Sequence, residues 1–185
     1  MIKMLQKIIT TAKSYLEDIT LPTDTVIDAT CGNGHDTAFL SQLVKQGHVY
    51  SFDIQKEALE NAQEKYTLDN VTYIHDGHEH VSQYVTSPVK GAIFNLGYLP
   101  GGDKAITTNF PTTKLALEEI FKLLAPHGRI AIVIYHGHPS GQTERDALLS
   151  ELAMWPQDSA TVLQYQYINQ KNNAPFLILI EKNSD

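Results

Sequence analysis

The alternation of short apolar runs with amphipathic stretches is the feature of this sequence that most restricts its fold. Apolar runs predict seven strands, over residues 26–29, 48–52, 71–74, 91–95, 130–135, 162–168 and 176–180. Apolar residues at helical spacing predict helices over residues 2–17, 37–44, 56–66, 113–124 and 143–154. Strands separated by helices pair in parallel through right-handed crossovers, so the sequence predicts a doubly wound α/β sheet.

The last connection departs from this rule and specifies the fold further. Only residues 169–174 join the last two strands, which is too short for a crossover helix, so these strands should be antiparallel. A mostly parallel seven-stranded sheet that ends in an antiparallel hairpin resembles the Rossmann-like class I methyltransferase fold, with helices on both faces. The length of 185 residues fits one domain over residues 1–185, and we expect the helix within residues 1–20 to pack on its core.

Composition removes several classes of protein. Cys31 is the only cysteine, which excludes a disulfide scaffold and sites built from several cysteine ligands. The formal net charge of −7 argues against a large basic face for nucleic acid, although binding needs only a local patch. No run approaches the roughly eighteen apolar residues of a membrane span, and the N-terminal residues lack the apolar core of a signal peptide. We therefore expect a soluble cytoplasmic protein without a membrane partner.

A glycine-containing loop at residues 28–34 leaves the first predicted strand and enters a helix. Ligands of open α/β sheets bind at the carboxyl ends of the strands, where this loop lies. Gly32 and Gly34 allow a tight turn and the close approach of a ligand, but Thr37 stands where a dinucleotide-binding loop has its third glycine. Asp28 closes the strand instead, and its carboxylate suits a cationic group such as the ammonium of a methionine moiety.

Two further carboxylates follow neighbouring strands. Asp53 ends the second strand nineteen residues after Gly34, the place of a carboxylate that accepts hydrogen bonds from both hydroxyls of a ribose. Asp76 follows the third strand and could accept a hydrogen bond from an adenine amino group. With Asp28 they predict an adenosine site, which resembles the S-adenosylmethionine pocket of class I methyltransferases. The alternative is that Asp28 and Asp76 only cap helices or turns.

A second loop, Asn95-Leu96-Gly97-Tyr98, follows the fourth strand. Its spacing resembles the Asn-Pro-Pro-Tyr signature of amino-group methyltransferases, with Leu96 and Gly97 in place of the prolines. In that signature the asparagine oxygen and a backbone carbonyl accept hydrogen bonds from the target amine, and the aromatic ring packs on the target base. The reaction is an in-line displacement, so positioning supplies most of its acceleration. The alternative is a structural turn in which Tyr98 is a core aromatic residue.

Histidines follow the fifth strand in the sequence His136-Gly137-His138-Pro139. An alkylamine is mostly protonated at neutral pH, and a histidine that titrates near neutrality could accept its proton. The alternative is a turn in which His136 and His138 cap strands. A second group, His75, His78 and His80, lacks a fixed helix face, and we expect no metal site there.

Three segments, at residues 28–37, 95–102 and 135–139, together resemble the small bacterial rRNA methylase family, also called the YtqB family. The resemblance implies an MnmM-type enzyme that uses S-adenosyl-L-methionine to methylate the aminomethyl group of 5-aminomethyl-2-thiouridine at the wobble position of tRNA. The implied cofactor-binding residues are Asp28, Thr30, Gly32, Asn33, Gly34, Asp53, Gln55, Asp76, His78 and Asn95. The implied catalytic residues are Asn95, Tyr98, His136 and His138, with Leu96, Gly97, Lys104, Thr108 and Tyr135 in or near the target pocket.

The implied partner is the anticodon stem-loop of tRNA, and a homodimer would widen the RNA-binding surface of so short a chain. Candidate cationic contacts are Lys3, Lys7, Lys13, Lys104, Lys114 and Arg145.

Four alternatives stay open at this point: a methyltransferase for an rRNA base, one for a small metabolite, a nicotinamide oxidoreductase and a non-catalytic adenosine-binding protein. The glycine pattern at Thr37 counts against the oxidoreductase, and the intact Asn95–Tyr98 loop counts against the non-catalytic protein.

Overall fold

The computed structural model describes residues 4–86 and 88–184. The helices are α1 (Ile8–Glu17), α2 (His35–Leu43), α3 (Lys56–Lys65), α4 (Phe110–Leu123) and α5 (Pro139–Leu152), and a 3₁₀ helix spans His78–Gln83. The strands are β1 (Thr25–Asp28), β2 (His48–Asp53), β3 (Val71–His75), β4 (Val89–Leu96), β5 (Leu124–Ile134), β6 (Ala160–Tyr165) and β7 (Phe176–Lys182).

All seven strands form one sheet in the order β3-β2-β1-β4-β5-β7-β6. The first five strands pair in parallel, whereas β7 is antiparallel to both β5 and β6. This topology confirms the predicted α/β class and its antiparallel C-terminal hairpin. The strand order reverses direction between β1 and β4, which makes the carboxyl end of β1 the switch point where ligands of such sheets bind.

Both faces of the central strands are buried, as is typical of parallel sheets covered by helices. One face carries Ile27, Phe94 and Ile132, which pack in one cluster with residues of α4 and α5. The opposite face carries the sequence neighbours Val26 and Ile93, which pack with residues of α1 and α2. Because successive residues of a strand point to opposite faces, each central strand contributes to both layers of the core. Within the described part of the chain, no helix is long and apolar enough to cross a membrane.

The N-terminal helix is shorter than predicted but does pack on the core. The first helix begins at Ile8 rather than at residue 2; residues 4–7 are not helical, and the first three residues, including Lys3, lie outside the described ranges. Its buried side chains are Ile8, Thr11, Ala12 and Leu16. Arg129 of β5 donates a hydrogen bond from Nη1 to the Tyr15 carbonyl oxygen at 2.9 Å, which ties the helix to the sheet.

Other helices and strands begin or end at residues different from those predicted from the apolar pattern. The fifth helix begins at Pro139, four residues earlier than predicted, because His138 accepts a hydrogen bond from the Gly141 amide and acts as the N-cap. Strand β5 begins at Leu124 instead of residue 130, and β6 ends at Tyr165 instead of residue 168. The 3₁₀ helix was not predicted, since six residues are too few to show a helical period.

We predict that Leu16→Ala destabilises the protein by about 2–5 kcal/mol, because it leaves a cavity between α1 and the sheet. Leu16 is fully buried, whereas Leu5 is 79% exposed and provides a matched control. Leu5→Ala should change the free energy of unfolding by no more than about 0.5 kcal/mol. Urea denaturation of both variants measures the difference, and equal effects would show that α1 is not part of the folded core.

Candidate active site

Asp28 organises the loop between β1 and α2 from the inside. Its side chain is fully buried. One carboxylate oxygen accepts a hydrogen bond from the Thr30 amide at 3.1 Å, and the other accepts one from the Thr37 hydroxyl at 2.6 Å. Burial, together with the negative charge of Asp36, raises the pKa of Asp28 from its ordinary value of 3.8 to about 7. The carboxylate therefore stabilises the shape of the loop and lies below the surface that a ligand would touch.

The two glycines of this loop are required by its geometry. Gly32 and Gly34 have φ angles of 51° and 79°, in the left-handed region that favours glycine. A Cβ atom on Gly34 would lie 2.7 Å from the Cβ of Ala62 in α3, so the loop also needs glycine for close packing. Asn33 lies exposed between them at the tip of the loop.

Asp53 joins the end of β2 to this loop. Its Oδ2 accepts a hydrogen bond from the Gly32 amide at 2.8 Å, and its Oδ1 accepts one from the Gln55 amide at 2.9 Å. Each carboxylate oxygen can accept a second hydrogen bond, so the half-buried Asp53 keeps acceptor capacity for a ligand. A ribose would meet a carboxylate that the backbone has already oriented.

The third strand end is joined to the same loop through His78. The buried His78 ring donates from Nδ1 to the Ala29 carbonyl oxygen at 2.9 Å, and burial lowers its pKa so that the ring is neutral.

Asp76 accepts hydrogen bonds from His80, Tyr84 and the Gly77 amide at 2.7, 2.7 and 2.8 Å. The bonds from His80 and then Tyr84 hold the pKa of Asp76 below its usual range. Asp76 is thus an ionised group at the rim of the predicted cofactor site.

Asn95, near the end of β4, faces the loop after β1. Its backbone amide donates to the Thr30 hydroxyl at 2.8 Å. Its side-chain Nδ2 donates to Oδ2 of Asp36, in the first turn of α2, at 2.6 Å. Among the described residues, the hydrogen bonds of the Asn95 side chain involve Nδ2 and not Oδ1. The structure therefore presents an oriented carbonyl oxygen beside the loop that carries the predicted cofactor residues.

The loop that follows Asn95 is anchored by a buried carboxylate. The Gly97 amide donates to the Thr108 hydroxyl at 2.9 Å, and that hydroxyl donates to Glu144 of α5 at 2.6 Å. The second oxygen of Glu144 accepts from the Thr113 hydroxyl of α4 at 2.6 Å. Glu144 is only 3% exposed, and both of its carboxylate oxygens accept hydrogen bonds from threonine hydroxyls. Glu144 therefore connects the loop to α4 and α5.

Tyr98 is not a residue of the hydrophobic core. The residue is half-buried, and its ring centroid is 5.2 Å from that of His138. The ammonium of Lys104 lies 5.6 Å from the centroid of the Tyr98 ring, within the range of a cation–π interaction. The exposed Tyr135 follows the last residue of the neighbouring strand β5 and lies beside Gly97. This geometry disfavours the alternative in which Tyr98 is a core aromatic residue.

Neither histidine after β5 presents a free lone pair. His136 is buried; its Nε2 lies 3.0 Å from the Ala174 carbonyl oxygen, and its Nδ1 lies 2.8 Å from Nη1 of Arg145. Its Nε2 therefore donates and its Nδ1 accepts. Nδ1 of His138 accepts from the Gly141 amide at 3.0 Å, so its proton is on Nε2. His136 is thus anchored through both ring nitrogens and His138 caps α5, while Nε2 of His138 is buried without a hydrogen-bond partner among the described residues. A catalytic role of either histidine stays a prediction.

Two further sequence expectations concern metal and nucleophilic chemistry. Within residues 4–86 and 88–184, no three side chains of His, Cys, Asp or Glu lie close enough together to hold a metal ion. Cys31 is buried, and burial raises the pKa of its thiol to about 12, so the thiol stays protonated near neutral pH. A thiol in this state is a poor nucleophile.

Sequence reasoning missed Asp36 and undervalued Thr37. An acidic residue in the first turn of a helix is common because the helix dipole favours it, so Asp36 carries no distinctive signal. Its partner Asn95 is 59 positions away along the chain, and only the sheet brings the two together. Thr37 stands where a dinucleotide-binding loop has a glycine, and its hydroxyl donates a hydrogen bond to the buried Asp28 at 2.6 Å.

We predict that Asp28→Asn gains stability relative to the wild type as the pH rises. The carboxyl has a pKa of about 7 when folded and about 3.8 when unfolded, so folding binds a proton between these values. The wild type therefore loses stability as the pH rises from about 4 to about 7, whereas the uncharged amide does not. Urea denaturation at about pH 5 and about pH 8 compares the two proteins. A difference in unfolding free energy that is the same at both pH values contradicts the prediction.

Comparison with known proteins identifies the family. Residues 49–181 match the protein family described as "Putative rRNA methylase". A protein of Arabidopsis thaliana named "tRNA (mnm(5)s(2)U34)-methyltransferase, chloroplastic" is 36% identical over 176 residues, which cover 86% of this chain. The match spans 63% of the length of the Arabidopsis protein.

Solved structures resemble the whole chain. A structure from Clostridium thermocellum with the same rRNA methylase description has a TM-score of 0.95 and 42% identity, and the match covers 97% of this chain and 100% of that one. A Streptococcus mutans structure, described as a "putative methyltransferase" in complex with SAH, has a TM-score of 0.90 and 41% identity, covering 97% of this chain and 99% of that one. The chain has the class I methyltransferase fold, and it belongs to the rRNA methylase family.

Proposed function

We propose that the protein is an S-adenosyl-L-methionine-dependent N-methyltransferase that acts on an exocyclic amine of RNA. The observation that carries the proposal is the orientation of Asn95, whose side-chain hydrogen bonds among the described residues involve Nδ2, which is bound to Asp36, and not Oδ1. An acceptor that is fixed beside a cofactor loop can hold an amine hydrogen and so direct the nitrogen lone pair.

The carboxyl ends of β1, β2 and β3 would hold the cofactor. Asp53 has acceptor capacity for the ribose hydroxyls, the loop containing Gly32, Asn33 and Gly34 lies beside it, and the ionised Asp76 lies at the rim for the adenine amino group. The Streptococcus mutans relative was solved with SAH, which supports this assignment. We assign Asp28 to shaping the loop, since its oxygens are used by Thr30 and Thr37.

S-adenosyl-L-methionine supplies a methyl group on a sulfonium, which is an electrophile that needs no activation by the protein. The residues of this chain supply position. Asn95 Oδ1 would accept a hydrogen bond from the neutral amine, and the half-buried Tyr98 ring offers a face on which the target base can stack. The anchoring of the loop by Thr108 and Glu144 limits its movement, which favours in-line geometry.

The proposed substrate is the aminomethyl group of 5-aminomethyl-2-thiouridine at the wobble position, presented by the anticodon stem-loop of tRNA. The name of the Arabidopsis relative specifies tRNA and position 34, which supports this choice. A mechanism through a cysteine adduct, as used for pyrimidine ring carbons, does not suit the buried and protonated Cys31.

Asn95→Ala tests the role of the loop. We expect the rate of methyl transfer to fall by about 100-fold or more, because the amine loses its orienting acceptor. The dissociation constant for S-adenosyl-L-methionine, measured by calorimetry, should change little. Asn61→Ala, on the exposed surface of α3, is the matched control and should leave both quantities unchanged. Loss of cofactor binding together with transfer in Asn95→Ala would mean that the loop is structural.

Nucleoside mass spectrometry of treated tRNA tests the substrate. The tRNA comes from a strain that lacks this enzyme, so that the aminomethyl nucleoside accumulates, and it is incubated with the protein and S-adenosyl-L-methionine. We expect 5-aminomethyl-2-thiouridine to decrease as its methylaminomethyl form increases. If a different methylated nucleoside forms while the aminomethyl nucleoside persists, the substrate is wrong but the methyltransferase activity stands. Methylation of rRNA fragments in parallel would favour the rRNA alternative.

A further inference from the structure

We infer that Asp36 is a positioning residue that fixes the side-chain amide of Asn95 in the orientation needed for methyl transfer. The inference rests on the proposed function, because it concerns the asparagine that would hold the target amine. Nothing in the sequence around Asp36 indicates this role, and the contact joins the first turn of α2 to the end of β4.

The chemistry of the contact selects one orientation of the amide. The two ends of an asparagine amide are almost equal in size, so an unrestrained side chain can present either Oδ1 or Nδ2 to a ligand. An ionised carboxylate only accepts hydrogen bonds. Asp36 Oδ2 lies 2.6 Å from Asn95 Nδ2, and a flipped amide would bring two oxygens to that distance. The flipped orientation is therefore disfavoured, and Oδ1 is directed away from Asp36.

The surroundings of Asp36 hold its carboxylate in place. Oδ1 of Asp36 lies 3.4 Å from the ammonium of Lys13 on α1, while Oδ2 serves Asn95. The Asp36 side chain is only 12% exposed. Its position in the first turn of α2 also favours negative charge, because the positive end of the helix dipole lies there. The backbone of Asn95 is held independently, by the bond from its amide to Thr30.

A second role for Asp36 predicts different behaviour. Because its carboxylate lies one hydrogen bond away from Asn95, Asp36 could itself accept the proton of the amine. A proton acceptor must be ionised, so its replacement by asparagine would lower the rate relative to the wild type at neutral pH, and this deficit would disappear at high pH, where the amine loses its proton to solvent. A positioning residue acts through Asn95 and needs only an acceptor oxygen, so asparagine at position 36 would preserve part of the rate.

The experiment is a double-mutant cycle on Asp36 and Asn95, read as single-turnover methylation of tRNA that carries the aminomethyl nucleoside. We expect Asp36→Ala to lower the rate at saturating tRNA by about 10- to 100-fold. In the Asn95→Ala background the same substitution should lower it by less than about twofold, because the group that Asp36 orients is gone. Asp36→Asn should retain several times the rate of Asp36→Ala. The exposed Asp158→Ala is the matched control and should have wild-type rates.

The remaining measurements separate positioning from other causes. The dissociation constant for S-adenosyl-L-methionine and the melting temperature should change little in Asp36→Asn, which keeps the shape of the side chain. Equal losses in the two Asn95 backgrounds, or a deficit of Asp36→Asn relative to the wild type that disappears at high pH, would overturn the inference. A wild-type protein that methylates no aminomethyl nucleoside would instead overturn the proposed function, so the two failures are distinguishable.

Discussion

Parallel pairing of β1 with both β2 and β4 is the constraint on which the candidate site depends. Asp28 is in register with Ser51 of β2 and with Ile93 of β4, so these strands end at one edge of the sheet. Asp53 and Asn95 both lie two residues beyond those register partners, and they meet the loop after β1 from opposite sides through Gly32 and Thr30. Residues far apart in the sequence are thereby brought to the same loop.

The carboxylates at the carboxyl ends of these strands differ in what they bind. Asp28 and Glu144 are buried and hold hydroxyl and amide groups, so they stabilise the two loops. Asp53 and Asp76 are partly exposed and keep acceptor capacity for a ligand. Asp36, which is 12% exposed, binds the side-chain amide of Asn95 and orients it. Part of the net charge of −7 is therefore internal to the site, and it says little about whether the surface can approach RNA.

The fold could be predicted from the sequence because its signals are local. Buried strands appear in the sequence as runs of apolar residues. The short connection over residues 169–174 requires the last two strands to be antiparallel. Site residues at strand ends were found for the same reason, since their place follows from strand order. The directions of hydrogen bonds could not be predicted: the burial of Asp28, the engagement of both His136 nitrogens and the contact from Asp36 to Asn95 depend on side chains brought together by the sheet.

A crystal structure of this chain with S-adenosylhomocysteine would test the proposed site directly. We expect both ribose hydroxyl oxygens within about 3 Å of the Asp53 carboxylate. We also expect a sulfur atom that faces Asn95 Oδ1, with room between them for a methyl group and an amine nitrogen. A nucleoside bound away from the carboxyl ends of β1 and β2, or a sulfur atom that points away from β4, would contradict the proposed site.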